Sequence, residues 1–314
     1  MPAKSSARLK KGIELHGPPE REHAVELAGG RSLGVAEFGP PDGRAIFWFH
    51  GTPGARRQVP PAARRLARTE NLRVIGVERP GIGKSTPHLY NSISEFADDL
   101  EELADALAVE RFGLAGLSGG GPYVLACAHA MPDRVIAGAV LGGVAPTQGP
   151  EAAPGGAMRL AATFAPLIHL LREPLGGLLT FFVQSIRPLS NQAFDMYVRF
   201  APEGDKRVLG DRAIRETFIE DMMLGSQENL RSFIYDLILF SRPWGFSIRD
   251  IDVPIHFWQG DDDNLVPPEH AEHLAHLVPG AKLIRDPGGG HLAGLGMAAE
   301  ALEFVLSHWP SDEA

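Results

Sequence analysis

The sequence predicts an α/β fold: a mostly parallel central sheet flanked by helices, with a helical segment inserted late in the chain. Three observations predict it. Apolar runs of strand length recur without polar alternation, as in strands buried on both faces. Stretches of helical period separate them, an alternation that builds a parallel sheet covered by helices. The rhythm stops after about residue 144 and resumes near 250.

The elements follow in order. HAVELAGG (23–30) and RSLGVAEFGP (31–40) read as two short strands joined at Gly29–Gly30, a turn signal. RAIFWFHG (44–51) and LRVIGVERPG (72–81) are nearly continuous apolar runs, each ending in a turn. In the segment 91–110, Ile93, Phe96, Leu100, Leu103 and Leu107 recur at spacings of three and four, which is helical. Ser92 and Glu95 have capping-box spacing at its start. RFGLAGL (111–117) reads as a strand, GGGPYVLACAHAM (119–131) as a helix and RVIAGAVLGGV (134–144) as a strand.

Between 145 and 249 no buried strand run is apparent. SNQAFDMYVRFA, DRAIRETFIEDMML and ENLRSFIYDLILF have helical patterns. PIHFWQG (254–260) then reads as a strand, PEHAEHLAHLV as a helix, AKLIRD as a strand and GMAAEALEFVLSHW as a helix. The expected organisation is one core domain, residues 1–144 and 250–314, carrying a helical lid over residues 145–249.

The composition narrows the function classes. The chain has 314 residues, 44% hydrophobic and 22% charged, an ordinary globular mix. Its formal net charge of -9 argues against nucleic acid as the main partner. The single cysteine excludes an intrachain disulfide and fits a cytoplasmic location. The basic start has no apolar run behind it, so no secretory signal is expected. The oiliest region, 160–186, is broken by His169, Arg172, Glu173 and Pro174, and no transmembrane segment is expected.

Gly116-Leu117-Ser118-Gly119-Gly120 fits G-x-S-x-G, a strained strand-to-helix turn that exposes a serine hydroxyl. The predicted strand before it and helix after it are the context this motif needs. A serine attacks well only when a base takes its proton. His291, in GGGH between a strand and the last helix, is the best placed of twelve histidines. His270, His273 and His276 share one helix, but nothing nearby supplies a convincing further ligand. No metal and no cofactor are expected. A carboxylate must orient the base, and Asp261, Asp262 and Asp263 all follow a predicted strand. The residues alone do not choose among them. Backbone N–H groups for a developing oxyanion are available at Gly119 and in HGTPG (50–54); Pro53 has no N–H, which leaves Thr52 as the donor.

HGTPG at 50–54, ERPGIGKS at 78–85, GLSGGG at 116–121, GDDDNLVP at 260–267 and GGGH at 288–291 occur in this order. Together they resemble the α/β-hydrolase fold family, in its lid-bearing serine hydrolase branch, over residues 22 to 308. The resemblance implies that Ser118 attacks, His291 is the base and Asp263, within G-x-x-D-x-x-V-P, orients it. It also implies that Thr52 and Gly119 form the oxyanion hole, braced by His50 and Gly51. Glu78 stands where the family often has aspartate. Epoxide hydrolases and haloalkane dehalogenases of this family use aspartate at the elbow, so Ser118 argues against both.

The expected activity is cleavage of an ester or related acyl bond, carboxylesterase-like, on a small apolar substrate. Phe164, Ile168, Phe181 and Phe182 of the lid are expected to line the pocket, with Leu171 nearby. Proline iminopeptidases share the lid and a related HGGPG motif, in which Thr52 replaces a glycine here; their substrate's amine needs acidic partners, for which Glu216, Glu220 and Asp221 could serve, although a solvated helix face explains these residues better. A binding protein that keeps the fold without turnover is the remaining alternative.

Overall fold

The computed structural model describes residues 17–153, 167–226 and 230–310. The predicted apolar runs form eight strands: β1 (Arg21–Glu26), β2 (Ser32–Phe38), β3 (Arg44–Phe49), β4 (Leu72–Val77), β5 (Phe112–Leu117), β6 (Val135–Leu141), β7 (Ile255–Gly260) and β8 (Lys282–Asp286). They lie side by side in the order β1-β2-β4-β3-β5-β6-β7-β8. β2 pairs antiparallel with both neighbours, and the pairs from β4 to β8 are parallel. This is an α/β-hydrolase fold.

The period of two in a strand explains the two-sided core. On β3, Phe47 and Phe49 face one apolar layer, whereas Ile46 and Trp48 face the other. The first layer is covered by α2 (Phe96–Ala106), α3 (Gly121–Ala130) and α9 (Pro268–Leu277). The second is covered by α1 (Pro61–Thr69) and α10 (Ala293–Ser307). Between β6 and β7 run α4 (Arg172–Ile186), α5 (Ser190–Phe200), α6 (Glu203–Leu209), α7 (Arg212–Gly225) and α8 (Arg231–Phe240).

Two local expectations need correction, and one helix was not expected. Ser92 and Glu95 do not form a reciprocal cap: Ser92 Oγ meets Ser94 Oγ at 2.7 Å, while the Glu95 carboxylate accepts from both Asn91 nitrogens at 3.0 Å. The start is a 3₁₀ turn, Ile93–Glu95, leading into α2. The last helix starts at Ala293, almost at His291, rather than at Gly296. The helix α1 has no counterpart in the sequence reading. Its inward residues are the small Ala63 and Ala67, and Arg64 is buried with its guanidinium over the Phe38 ring. A helix packed through alanines and an arginine stem leaves no large-residue stripe to detect.

Candidate active site

β5 ends directly in Ser118, whose φ is +51°, a left-handed backbone that is strained for any residue with a Cβ. The neighbouring glycines make this turn possible by close approach. A Cβ on Gly116 would lie 2.7 Å from the Gly120 carbonyl oxygen, and one on Gly120 would collide with that of Phe49. The turn lifts the hydroxyl above the carboxyl end of the sheet, where open α/β sheets place their sites. Ser118 Oγ lies 2.9 Å from His291 Nε2, and His291 Nδ1 lies 2.8 Å from Asp263 Oδ2.

Asp263 is held on all sides. Its Oδ1 accepts the N–H groups of Leu265 and Val266, each at 2.9 Å, and its Oδ2 also accepts from Gln259 Nε2 at 2.9 Å. Its aspartate neighbours turn elsewhere: Asp261 pairs with Arg285 at 2.6 Å, and Asp262 is exposed. An acceptor carboxylate at Nδ1 selects the tautomer with Nε2 bare, which is the state able to take the serine proton.

Thr52 and Gly119 come together above the sheet, so closely that a Cβ on Gly119 would collide with Thr52 Oγ1. The Thr52 hydroxyl donates to Asp236 Oδ2 at 2.5 Å and accepts from Arg79 Nη2 at 2.9 Å. The hydroxyl being committed, any bond Thr52 offers to a substrate comes from its backbone N–H. The Gly51 N–H is taken by Gln58 Oε1 at 2.5 Å. His50 is buried, with Nδ1 2.7 Å from the Gly51 carbonyl and Nε2 accepting the Arg79 N–H at 3.3 Å. Burial and the Arg79 charge hold its pKa well below the usual histidine value, which favours the neutral ring.

The sequence reading missed the residues that hold this loop. Arg79, in ERPG, donates to the carbonyls of His50 at 2.5 Å and Gly51 at 3.0 Å, and pairs with Asp236 of α8 at 2.7 Å. Tyr123 donates to the other Asp236 oxygen at 2.7 Å. Glu78 is fully buried against Arg56 at 2.5 Å. Of these residues only Glu78 was singled out in the sequence, as the place where the family often has aspartate.

Asp221 of α7 is also fully buried and accepts the N–H groups of Ala55 at 2.7 Å and Arg57 at 2.9 Å. Burial pushes this carboxyl up to about 7. A carboxyl raised on folding from 3.8 holds its proton more tightly in the folded chain. Its stability contribution is complete below 3.8 and is lost as pH rises to about 7. Urea unfolding is expected to show the native protein losing stability relative to Asp221→Asn across that window. Parallel curves for the two proteins would contradict it.

A cavity of about 360 Å³ opens onto Ser118 and His291. Its walls are Val183 of α4, Phe194 and Tyr197 of α5, Phe218, Ile219, Met222 and Met223 of α7, with Leu265 and Leu292. The expected lining needs correction. Phe181 and Phe182 are 70% and 58% exposed, Leu171 is 39% exposed, and Ile168 lies outside the lining. Phe164 lies outside the described residues. Apolar content marked α4 as oily, but its packing against α8 turns Val183 inward and the phenylalanines outward. The three histidines of α9 part company: His270 Nδ1 accepts the Ala145 N–H, His273 bonds the Glu151 carbonyl, and His276 is exposed. Among the described residues, no helix is long and apolar enough to cross a membrane.

Comparison with known proteins adds to this geometry. Residues 40–293 match the family model described as serine aminopeptidase, S33. A proline iminopeptidase of Arabidopsis thaliana is 34% identical over 111 residues, which span 34% of this chain and 28% of that protein. The chain covers about a third of the length of the proline iminopeptidases it matches. A bifunctional esterase/perhydrolase of Acinetobacter calcoaceticus is 26% identical over 281 residues, 85% of this chain and 92% of that protein. The crystal structure of a hydrolase from Pseudomonas aeruginosa superposes with a TM-score of 0.67 at 17% identity, covering 91% of this chain and 98% of the other.

Proposed function

The chain belongs to the serine aminopeptidase, S33, family of α/β-hydrolase fold enzymes, and we propose that it cleaves esters of apolar acyl groups through an acyl-enzyme. Ser118 is the nucleophile, His291 the base, Asp263 its orienting carboxylate, and the N–H groups of Thr52 and Gly119 form the oxyanion hole. Residues 145–249 act as a lid that walls the acyl site.

In the first step Ser118 Oγ bonds to the ester carbonyl carbon while its proton passes to His291 Nε2. The carbonyl oxygen takes negative charge at the two N–H groups, a stabilisation worth about 2.7–4 kcal/mol per donor. The carbonyl re-forms, the carbon–oxygen bond to the alcohol breaks, and that oxygen leaves with the proton held by His291. Water then gives a proton to His291 and its oxygen to the acyl carbon. The acid departs as Ser118 regains its proton. Side chains, backbone and water serve every step.

The observation that carries this reading is the apolar wall facing Ser118. The lid carboxylates that an aminopeptidase reading draws on lie elsewhere. Asp221 is spent on backbone amides, Glu216 pairs with Arg212 at 2.6 Å, and Glu220 is exposed outside the cavity lining. A free amine entering among phenylalanine and methionine side chains would lose its water without gaining a counter-charge.

The family match and the iminopeptidase similarity favour aminopeptidase action as the second reading. A panel of p-nitrophenyl esters beside proline p-nitroanilide separates the two. The expected result is turnover of butyrate to octanoate esters and none of the anilide. Activity on the anilide alone would overturn the esterase reading.

A further inference from the structure

We infer that Asp205, on an inserted helix, is a positioning residue for His291 that ties the lid to the base; the inference rests on the catalytic role proposed for His291.

The short helix α6 docks directly on the GGGH loop. Gly204 packs so closely there that a Cβ would meet the Gly288 carbonyl oxygen and lie 2.5 Å from Gly289 Cα. Asp205 follows it and is 1% exposed. Its Oδ1 accepts the Leu292 N–H at 2.8 Å. On the other side of His291, a Cβ on Gly290 would lie 2.6 Å from the Asp205 carboxyl carbon. The chain is therefore gripped one residue before and one residue after the imidazole. The glycines of GGGH serve this contact: they admit an acidic side chain and a helix end where side chains would hold them off.

The grip fixes two properties of His291. One is position. A carboxylate on the Leu292 N–H anchors the backbone between His291 and the start of α10, and the ring rides on that backbone. The other is charge. Burial raises the Asp205 carboxyl, the Leu292 N–H and His291 lower it, and Asp263 raises it, so the two carboxylates and the ring share one field. The other groups facing this loop are Asp262 and Arg207 near Gly288, Asp286 near Gly289, and Tyr197 of α5, whose phenol burial, Asp205 and Asp263 push up to about 12. Within this set, Asp205 bonds the backbone beside His291 through its side chain, whereas Asp262 and Asp286 meet Gly289 through their main chains. A negative group there favours the imidazolium that forms during turnover.

Two variants test this, with p-nitrophenyl butyrate as substrate and kcat and KM followed from pH 5 to 9. Asp205→Asn keeps an oxygen for the Leu292 N–H but removes the charge. It is expected to hold kcat on the plateau within about threefold and to move the acid limb to lower pH by about half a unit or more. Asp205→Ala removes the grip and is expected to lower kcat by about 10- to 100-fold with little change in KM. Wild-type kcat and an unmoved acid limb in both variants would overturn the inference. So would an equal loss in both with the acid limb unmoved, because that pattern is structural damage alone. Should Asp205→Ala fail to fold, the acid limb of Asp205→Asn decides. A fluorophosphonate probe on the native protein keeps the two proposals apart. No labelling of Ser118 and no ester turnover would sink the catalytic reading itself. A labelled, active native enzyme with indifferent Asp205 variants would sink this inference alone.

Discussion

Ser118→Ala is expected to lower kcat on p-nitrophenyl esters by a factor on the order of 10⁴ or more, with KM nearly unchanged. In the proposed mechanism the hydroxyl oxygen bonds to the acyl carbon, and the alanine methyl has no lone pair to do so. The apolar cavity walls are untouched, so substrate binding is expected to persist. The φ of +51° at this residue places the side chain 2.9 Å from His291 Nε2. Folding is expected to survive, since alanine meets the same backbone cost as serine. A fluorophosphonate probe should label the native chain at Ser118 and leave the variant unlabelled. Retention of full ester turnover by the variant would sink the nucleophile assignment.

Asp236→Ala is expected to destabilise the protein by about 3–5 kcal/mol, the usual result of leaving a buried charge without its partner. Both members of the Arg79–Asp236 pair are 2% exposed at the side chain. The same carboxylate also accepts the Thr52 and Tyr123 hydroxyls, so the loss strands three donors at once. Urea unfolding of the native and variant proteins measures this. A native-like midpoint for Asp236→Ala would show that water or a neighbour replaces the carboxylate at no cost. The double replacement Arg79→Met with Asp236→Leu is expected to recover much of the stability, because the lone charge disappears. It should not recover activity: the His50 carbonyl loses its donor, the Gly51 carbonyl keeps only the His50 ring, and the loop carrying the Thr52 N–H is less firmly held.

These two cases divide by how far the responsible contacts reach along the chain. Ser118 was legible because its signal is local. A strand run, glycines on both sides and a helix run lie within some twenty residues, and each obeys a short-range rule of sterics or period. His291 was legible for the same reason, in a glycine turn between a strand and a helix. Asp263 was half legible, since three adjacent aspartates follow the same strand and only the fold turns one toward the ring.

The strand order of motifs, the parallel core and the serine elbow were thus determined by the sequence itself, through periodicity and the backbone freedom of glycine. The tertiary structure decided the rest. It selected Val183 and Phe194 over Phe181 and Phe182 as cavity walls, because a helix's inward face depends on what it packs against. It assigned Asp205, Asp221 and Asp236, one from each of three inserted helices, to the loops bearing His291 and Thr52. The bond from Thr52 to Asp236 spans 184 residues of chain. No local pattern encodes such a partner, because an aspartate on a helix reads as a solvated face until burial strips its water and demands a donor.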